Sequence, residues 1–202
     1  HLAIVKSNVV DFVETAEISQ LLISYIDETF PDECCEHNRT EIKDTIVESS
    51  SNFYKTDVLN FIPLKEVDLH NDTADVCQVP FSDVVVIVTK DGIQPITYKH
   101  HNSYILKKQV VKRDFKKSSN PLQGEFYRFT RNLADNDQHR FEALCSILGY
   151  LLHRYKDPSN PKMIILIDQV IGELESHNGG SGKSLWLKAI SFIRLVVELS
   201  VK

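Results

Sequence analysis

A chain of 202 residues, 42% hydrophobic and 25% charged, has enough apolar material for the core of one large domain or two small ones. The sequence has no apolar run near the roughly 18 residues of a membrane span, and its first residues lack the cationic-then-apolar order of a secretory signal. On these grounds we expect neither a membrane protein nor a secreted one. We expect a cytoplasmic protein in which the four cysteines are reduced thiols.

The net charge of −5 conceals an uneven distribution of charged residues. Residues 1–60 hold 12 acidic and 4 basic side chains. Residues 99–131 hold 9 lysines and arginines against only Asp114 and Glu125. A local excess of this size can attract polyanions even in an acidic protein. The second stretch is therefore a candidate for contact with nucleic acid.

The N-terminal part of the chain is predicted to be mostly helical. Residues 9–28 place apolar and small side chains near one helical stripe, and Phe30-Pro31-Asp32 is typical of a helix end. Residues 39–48 and 53–61 predict two shorter helices.

Strand-forming residues begin at Val76. The β-branched run Val84–Thr89 is followed by the turn signal Lys90-Asp91-Gly92 and then by Ile96-Thr97-Tyr98. Residues 104–106 and 110–111 indicate another strand. We therefore predict a small antiparallel meander over residues 76–113.

Helices return after a loop at residues 118–121. Residues 123–133 predict a short helix, and residues 137–155 predict the clearest amphipathic helix of the chain, with Asp135 or Asn136 as its N-terminal cap. The segment 156–161 is bracketed by prolines, which makes it the best candidate for a domain boundary.

The last part of the sequence carries the motif with a specific chemistry. The continuous apolar run Met163–Ile167 is typical of a strand buried on both faces of a parallel sheet, and a helix is predicted from Lys183 to about Ser200. The segment between them ends in His177-Asn178-Gly179-Gly180-Ser181-Gly182-Lys183-Ser184. This segment matches the phosphate-binding loop G-x-x-x-x-G-K-[ST] at every fixed position except the first, where His177 replaces glycine.

Each residue type in this loop has a physical role. Glycine lets the main chain wrap closely, so that several N–H groups converge on phosphate oxygens. The lysine can reach the β- and γ-phosphates of ATP, and the serine can offer its hydroxyl to Mg²⁺. The alternative is a glycine-rich loop that precedes an unrelated helix and binds no phosphate. In that case the motif would have arisen by chance, with a probability of roughly one in a thousand for a chain of this length. The predicted nucleotide-binding residues are Gly179, Gly180, Ser181, Gly182, Lys183 and Ser184, the last also contacting Mg²⁺.

Two blocks of the sequence resemble the phage and poxvirus-type primase-helicases, whose motor is a viral superfamily-three helicase. The first block is Val85–Ile93, and the second is Ser146–Pro158, followed by the predicted strand and Asn178–Leu185. The resemblance covers about three-fifths of the chain. It implies a mostly helical domain before a P-loop motor, ATP and Mg²⁺ as cofactors, single-stranded or forked DNA as partner, and a hexamer in the full-length protein. Such motors often carry an acidic pair after the strand, whereas here Asp168 is followed by Gln169.

We therefore expect an α+β fold. Residues 1–157 would form an adaptor with a helical N-terminal region and the meander, and residues 158–202 the truncated start of a P-loop α/β ATPase domain. The expected function is that of a fragment of an ATP-dependent DNA helicase (primase-helicase) that replicates viral, phage or mobile-element DNA in a bacterial or viral-host cell. The parent protein would hydrolyse ATP, and the 202-residue chain alone would be inactive.

Other functions remain open at this point. The chain can instead be a non-catalytic DNA- or protein-interaction module with a vestigial P-loop, or, with less support, a P-loop phosphotransferase. The basic stretch with Tyr104 and Phe115 can grip a DNA backbone by neutralising phosphates, or it can be an ordinary solvated strand-and-turn face. The candidate DNA-contacting residues are Lys107, Lys108, Lys112, Arg113, Lys116 and Lys117.

Overall fold

The protein has an α+β fold that divides into two compact units, His1–Asp68 and Leu69–Lys202. Within the ranges that the structure describes, no helix is long and apolar enough to cross a bilayer. The computed structural model describes residues 2–14, 17–30, 33–34, 37–49, 52, 55–61, 64–167, 182–197 and 199.

The first unit opens with a β-hairpin, so the predicted helix over residues 9–28 begins too early. Strand β1 (Leu2–Lys6) pairs antiparallel with β2 (Val9–Val13). The turn between them is Ser7-Asn8, with φ angles of 47° and 64°. Two consecutive positive φ angles are what a tight hairpin turn requires, and asparagine tolerates them well. The β-branched residues of β2 then favour a strand over a helix.

The remainder of the described first unit contains three helices and a short antiparallel strand pair that was not predicted. The predicted helix at residues 39–48 is confirmed, and Asn38 caps it, because its side chain accepts a hydrogen bond from the Glu41 amide while the Glu41 carboxylate accepts one from the Asn38 amide. The elements of this part are α1 (Ile18–Thr29), the short antiparallel pair β3 (Glu33–Cys34) and β4 (His37–Asn38), α2 (Arg39–Glu48) and α3 (Thr56–Leu59).

The second unit contains an antiparallel meander that is shorter than the one predicted over residues 76–113. Strands β5 (Cys77–Pro80), β6 (Val85–Thr89) and β7 (Gly92–Ile96) pair in sequence order. Gly92 has a φ of 135°, a value that only glycine adopts readily, so the turn signal after β6 acts as predicted. One face of the meander builds a core around Cys77, Val79, Phe81 and Val86. The two-residue strand β8 (Ile105–Leu106) follows the meander.

Two helices follow the basic stretch, α4 (Glu125–Leu133) and α5 (Gln138–Leu152). The cap of α5 is Asp137, whose carboxylate accepts a hydrogen bond from the Arg140 amide at 2.8 Å. The predicted caps Asp135 and Asn136 lie two residues and one residue before it, with positive φ angles of 56° and 55° in the α4–α5 connection. Short Asp and Asn side chains bond to nearby backbone groups both in left-handed turns and in helix caps. The sequence pattern therefore did not separate the turn residues from the cap.

The strand predicted at Met163–Ile167 is not formed. These residues adopt no regular structure, and Met163, Ile165 and Ile167 are 81%, 67% and 75% exposed. A strand of a parallel sheet needs a neighbour to bond, and residues 162–167 pair with no strand that the structure describes. A P-loop α/β domain is therefore not confirmed.

The helix predicted from Lys183 to Ser200 is shorter than expected. Helix α6 spans Lys183–Lys188 and continues as a single 3₁₀ turn, Ala189–Phe192. The predicted boundary between residues 157 and 158 falls inside the second unit, while the observed division lies between residues 68 and 69. That residues 158–202 are the start of a separate ATPase domain stays a prediction.

Candidate functional site

The candidate phosphate loop is described at its C-terminal end, where the loop becomes a helix. Gly182 has a left-handed φ of 80° and immediately precedes α6. The first helical hydrogen bond runs from the Trp186 amide to the Gly182 carbonyl at 2.9 Å. The amides of Lys183 and Ser184 therefore belong to the first turn of α6. Gly179, Gly180 and Ser181 lie outside the described residues, as do His177 and Asp168.

The two side chains that the motif assigns to phosphate and Mg²⁺ sit at the start of α6. Lys183 is half-buried and Ser184 is exposed. Both side chains thus stand at the N-terminal end of α6. Within the part of the chain that the structure describes, no cluster of three or more histidine, cysteine or acidic side chains forms a metal site.

Gly182 is constrained by its neighbours as well as by its backbone. A Cβ atom at this position would lie 3.1 Å from Cζ of Phe129 in α4, closer than ordinary van der Waals contact. The loop end and α4 therefore touch through the bare glycine backbone. The motif predicted glycine here for its approach to phosphate, and the structure adds a packing reason.

Replacing Gly182 with alanine is expected to lower the free energy of unfolding by about 1–2 kcal/mol, the cost of a left-handed backbone for a residue with a Cβ. Gly149 is the matched control, because it lies inside α5 and an added Cβ would meet no atom within 4 Å. Gly149→Ala is expected to stabilise by about 0.5–1 kcal/mol. Urea unfolding followed by tryptophan fluorescence compares the two, and equal effects would contradict this account of Gly182.

Helix α6 is held in place by its tryptophan. Trp186 has no exposed surface, and its indole Nε1 donates to the Thr130 hydroxyl of α4 at 3.2 Å. Thr130 in turn donates to the Phe126 carbonyl at 2.9 Å, so one hydroxyl serves both as acceptor and as donor. Ile190, one turn after Trp186, is also buried. The inner face of this segment is therefore fixed, while Leu185 on its outer side is 62% exposed.

A buried polar cluster that was not predicted from the sequence lies in the same unit. The Asp72 carboxylate accepts hydrogen bonds from the amides of Gln78 at 3.0 Å and Arg154 at 2.9 Å, and one from His70 Nε2 at 3.4 Å. Arg194 Nη2 lies 3.5 Å from Oδ2 of the Asp72 carboxylate. Burial acts to raise the pKa of Asp72, but these hydrogen bonds and the positive charge of Arg194 outweigh burial and hold that pKa well below its ordinary value. Asp72 is therefore a structural anion.

Arg194 extends this cluster towards the residues after α6. Its Nε donates to the Leu152 carbonyl at the end of α5 at 2.7 Å, and its Nη2 lies 3.1 Å from Cys77 Sγ. Burial raises the pKa of the Cys77 thiol and the charge of Asp72 raises it further, so this cysteine stays protonated and is a poor nucleophile. The cluster thus ties β5, α5 and the segment after α6 together, and offers no reactive thiol.

The six predicted DNA-contacting residues are all exposed, and they lie on a segment anchored to the meander. The Val111 amide donates to the Pro80 carbonyl at 2.8 Å, and the Ser82 amide to the Arg113 carbonyl at 3.0 Å. Val111 and Phe115 turn inward against the core of the meander. The inward residues thus hold the segment, while Lys107, Lys108, Lys112, Arg113, Lys116 and Lys117 face solvent.

His101 lies shortly before the basic stretch in the sequence. It is buried, with Nδ1 at 2.6 Å from the Ser103 carbonyl and Nε2 at 2.6 Å from the Gln78 side chain. Its bonds stay within the fold, so His101 supports the meander rather than the exposed basic surface.

Comparison of the chain with protein-family models, with curated proteins and with solved structures found no match.

Proposed function

We propose that this chain is part of an ATP-dependent DNA helicase of the primase-helicase kind and contributes the phosphate-binding loop of its motor. The observation that carries the proposal is the geometry at Gly182. A left-handed glycine leads directly into a helix whose first residues are Lys183 and Ser184. This is the arrangement in which main-chain amides, an ammonium group and a hydroxyl can meet the phosphates of a bound nucleotide.

DNA is the proposed second partner, and the cofactors are ATP and Mg²⁺. The support for DNA is the exposure of all six basic residues on the anchored segment 107–117. A hexameric motor that acts on single-stranded or forked DNA in a bacterial or viral-host cell remains part of the proposal. We propose further that the 202-residue chain binds nucleotide without turning it over at a useful rate.

The alternative is an interaction module with a vestigial loop. It is favoured by one observation, the absence of a buried strand at residues 163–167, where a P-loop motor would need one. The two functions differ in nucleotide affinity. A helicase part requires a loop that binds ATP, whereas an interaction module can bind DNA or protein without one.

Lys183→Ala is expected to weaken binding of a fluorescent ATP analogue in the presence of Mg²⁺ at least tenfold, on the order of 1.4 kcal/mol. The reason is the loss of the ammonium group that faces the nucleotide's terminal phosphates. Lys188→Ala is the matched control. Lys188 is exposed on the same helix, and its replacement removes the same charge as Lys183→Ala. Equal affinities for wild type and Lys183→Ala, or no binding by wild type, would contradict the ATP-binding part of the proposal and leave the interaction module.

A further inference from the structure

A small pocket lies between the basic segment and the residues that follow α6. Its volume is about 210 Å³, the share of roughly seven liquid water molecules, which is enough for a phosphodiester group. Residues 108–112 form one wall and residues 191–195 form the other. The pocket therefore joins the basic stretch of the sequence to the segment that begins at the phosphate loop.

The charges around this pocket are cationic. Lys108 and Lys112 are exposed, and neither is in an ion pair with any residue that the structure describes. Arg194 lines the opposite wall, but its guanidinium is buried and its Nη2 lies 3.5 Å from the Asp72 carboxylate, which compensates its charge within the fold. No carboxylate is among the lining residues. The two exposed lysines therefore make the pocket attractive to an anion.

The walls of the pocket are fixed before any ligand arrives. Ile193 packs against the core of the meander on one side, and Val111 packs against the same core on the other. The hydrogen bonds of Arg194 to Leu152 and of Val111 to Pro80 hold each wall in register. Binding would therefore cost little additional ordering of the main chain.

An aromatic side chain completes the arrangement. Phe192 lines the same pocket and is 68% exposed, which leaves its ring free to receive another planar group. Cations that track a backbone, beside an exposed ring on which a base can stack, are the chemistry of single-stranded nucleic acid binding.

We propose that this pocket binds one backbone phosphate of single-stranded DNA between Lys108 and Lys112, with the adjacent base stacked on Phe192. The proposal rests on the proposed function for the choice of DNA as the partner. It also divides the basic segment, because Lys116 and Lys117 lie outside the pocket lining and would contribute only general attraction.

The double variant Lys108→Gln/Lys112→Gln is expected to bind a labelled oligothymidine about fivefold more weakly at ~0.1 M salt, and to reduce the slope of log affinity against log salt by about 0.7, the contribution of one phosphate contact. The matched control is Lys116→Gln/Lys117→Gln, which removes the same charge from the same segment and should stay within about twofold of wild type. Phe192→Leu tests the ring, and it should weaken binding about fivefold with the salt slope unchanged. Fluorescence anisotropy over a range of salt concentrations measures all four proteins.

Equal losses in the two lysine pairs would overturn the pocket and leave a diffuse basic surface. The absence of oligothymidine binding by wild type would overturn it as well. Competition by inorganic phosphate as effective as that by the oligonucleotide would show a site for free phosphate instead. The ATP analogue test at Lys183 is independent of these readouts. Failure of nucleotide binding with retention of the lysine-pair difference would remove the helicase and keep the pocket.

Discussion

Asp72→Ala is expected to lower the free energy of unfolding of the 69–202 unit by about 3–5 kcal/mol, because it leaves the buried Arg194 guanidinium without a counter-charge. It also leaves the Gln78 and Arg154 amides without their acceptor. The measurement is urea unfolding followed by the fluorescence of Trp186, the single tryptophan, which reports on this unit. Asp75→Ala is the matched control, an exposed aspartate three positions away, with an expected effect within about 0.5 kcal/mol.

A double variant separates the ion pair from the hydrogen bonds. Adding Arg194→Met to Asp72→Ala removes the uncompensated charge and is expected to recover part of the lost stability, as buried pairs often tolerate apolar replacement. The two amide donors would still lack an acceptor, so recovery should be incomplete. If the double variant loses as much stability as the sum of the Asp72→Ala and Arg194→Met losses, Asp72 and Arg194 do not act as a pair.

The pH dependence of stability supplies a second readout for Asp72. Its pKa is lowered in the folded protein, so the unfolded state binds a proton more readily. The stabilisation is present above the unfolded pKa of about 4, and it is lost as the pH falls from there towards the folded pKa. In Asp72→Asn this contribution to acid sensitivity is expected to disappear. An unchanged acid limb in that variant would contradict the assignment of Asp72 as a buried carboxylate.

The local elements of the fold could be predicted where one signal dominated. The β-branched run before Asp91-Gly92 predicted the hairpin of β6 and β7, because the turn residue and the strand residues agree. Residues 39–48 predicted α2, and the structure adds the capping residue Asn38 directly before them. Residues 9–13 carry both a helical stripe and β-branched residues, and here the two-residue turn at Ser7-Asn8 decided for the hairpin.

The candidate site could be predicted only as far as its motif reaches. Gly182, Lys183 and Ser184 stand together in the sequence, so their spacing alone indicated a loop that leads into a helix. The Asp72–Arg194 pair joins residues 122 positions apart, and the contact of Asp72 with the Arg154 amide spans 82. No local periodicity encodes such contacts, since they depend on how β5, α5 and the segment after α6 pack. The pocket between residues 108–112 and 191–195 escaped prediction for the same reason.

Trp186→Ala is expected to cost about 3–5 kcal/mol in the free energy of unfolding, the usual range for truncating a buried aromatic side chain and leaving a cavity. Trp186 is fully buried between α6 and α4, and no other part of α6 is buried as deeply. Far-UV circular dichroism during urea unfolding is the measurement, because the variant lacks the fluorescent residue. Trp186→Phe keeps most of the ring volume and loses the bond to Thr130, so its expected cost is nearer 1 kcal/mol.

The same substitution connects the packing of α6 to the proposed function. Trp186 lies one helical turn after Lys183 and fixes the helix from which that lysine and Ser184 project. In the absence of urea, under conditions where Trp186→Ala is still folded, its affinity for the ATP analogue should fall. None of the groups proposed to contact phosphate has changed in this variant. Leu185→Ala, at the exposed neighbouring position, should leave both stability and affinity close to wild type. Unchanged affinity in Trp186→Ala would mean that the loop holds its geometry without α4, and that the packing of Gly182 and Trp186 serves only stability.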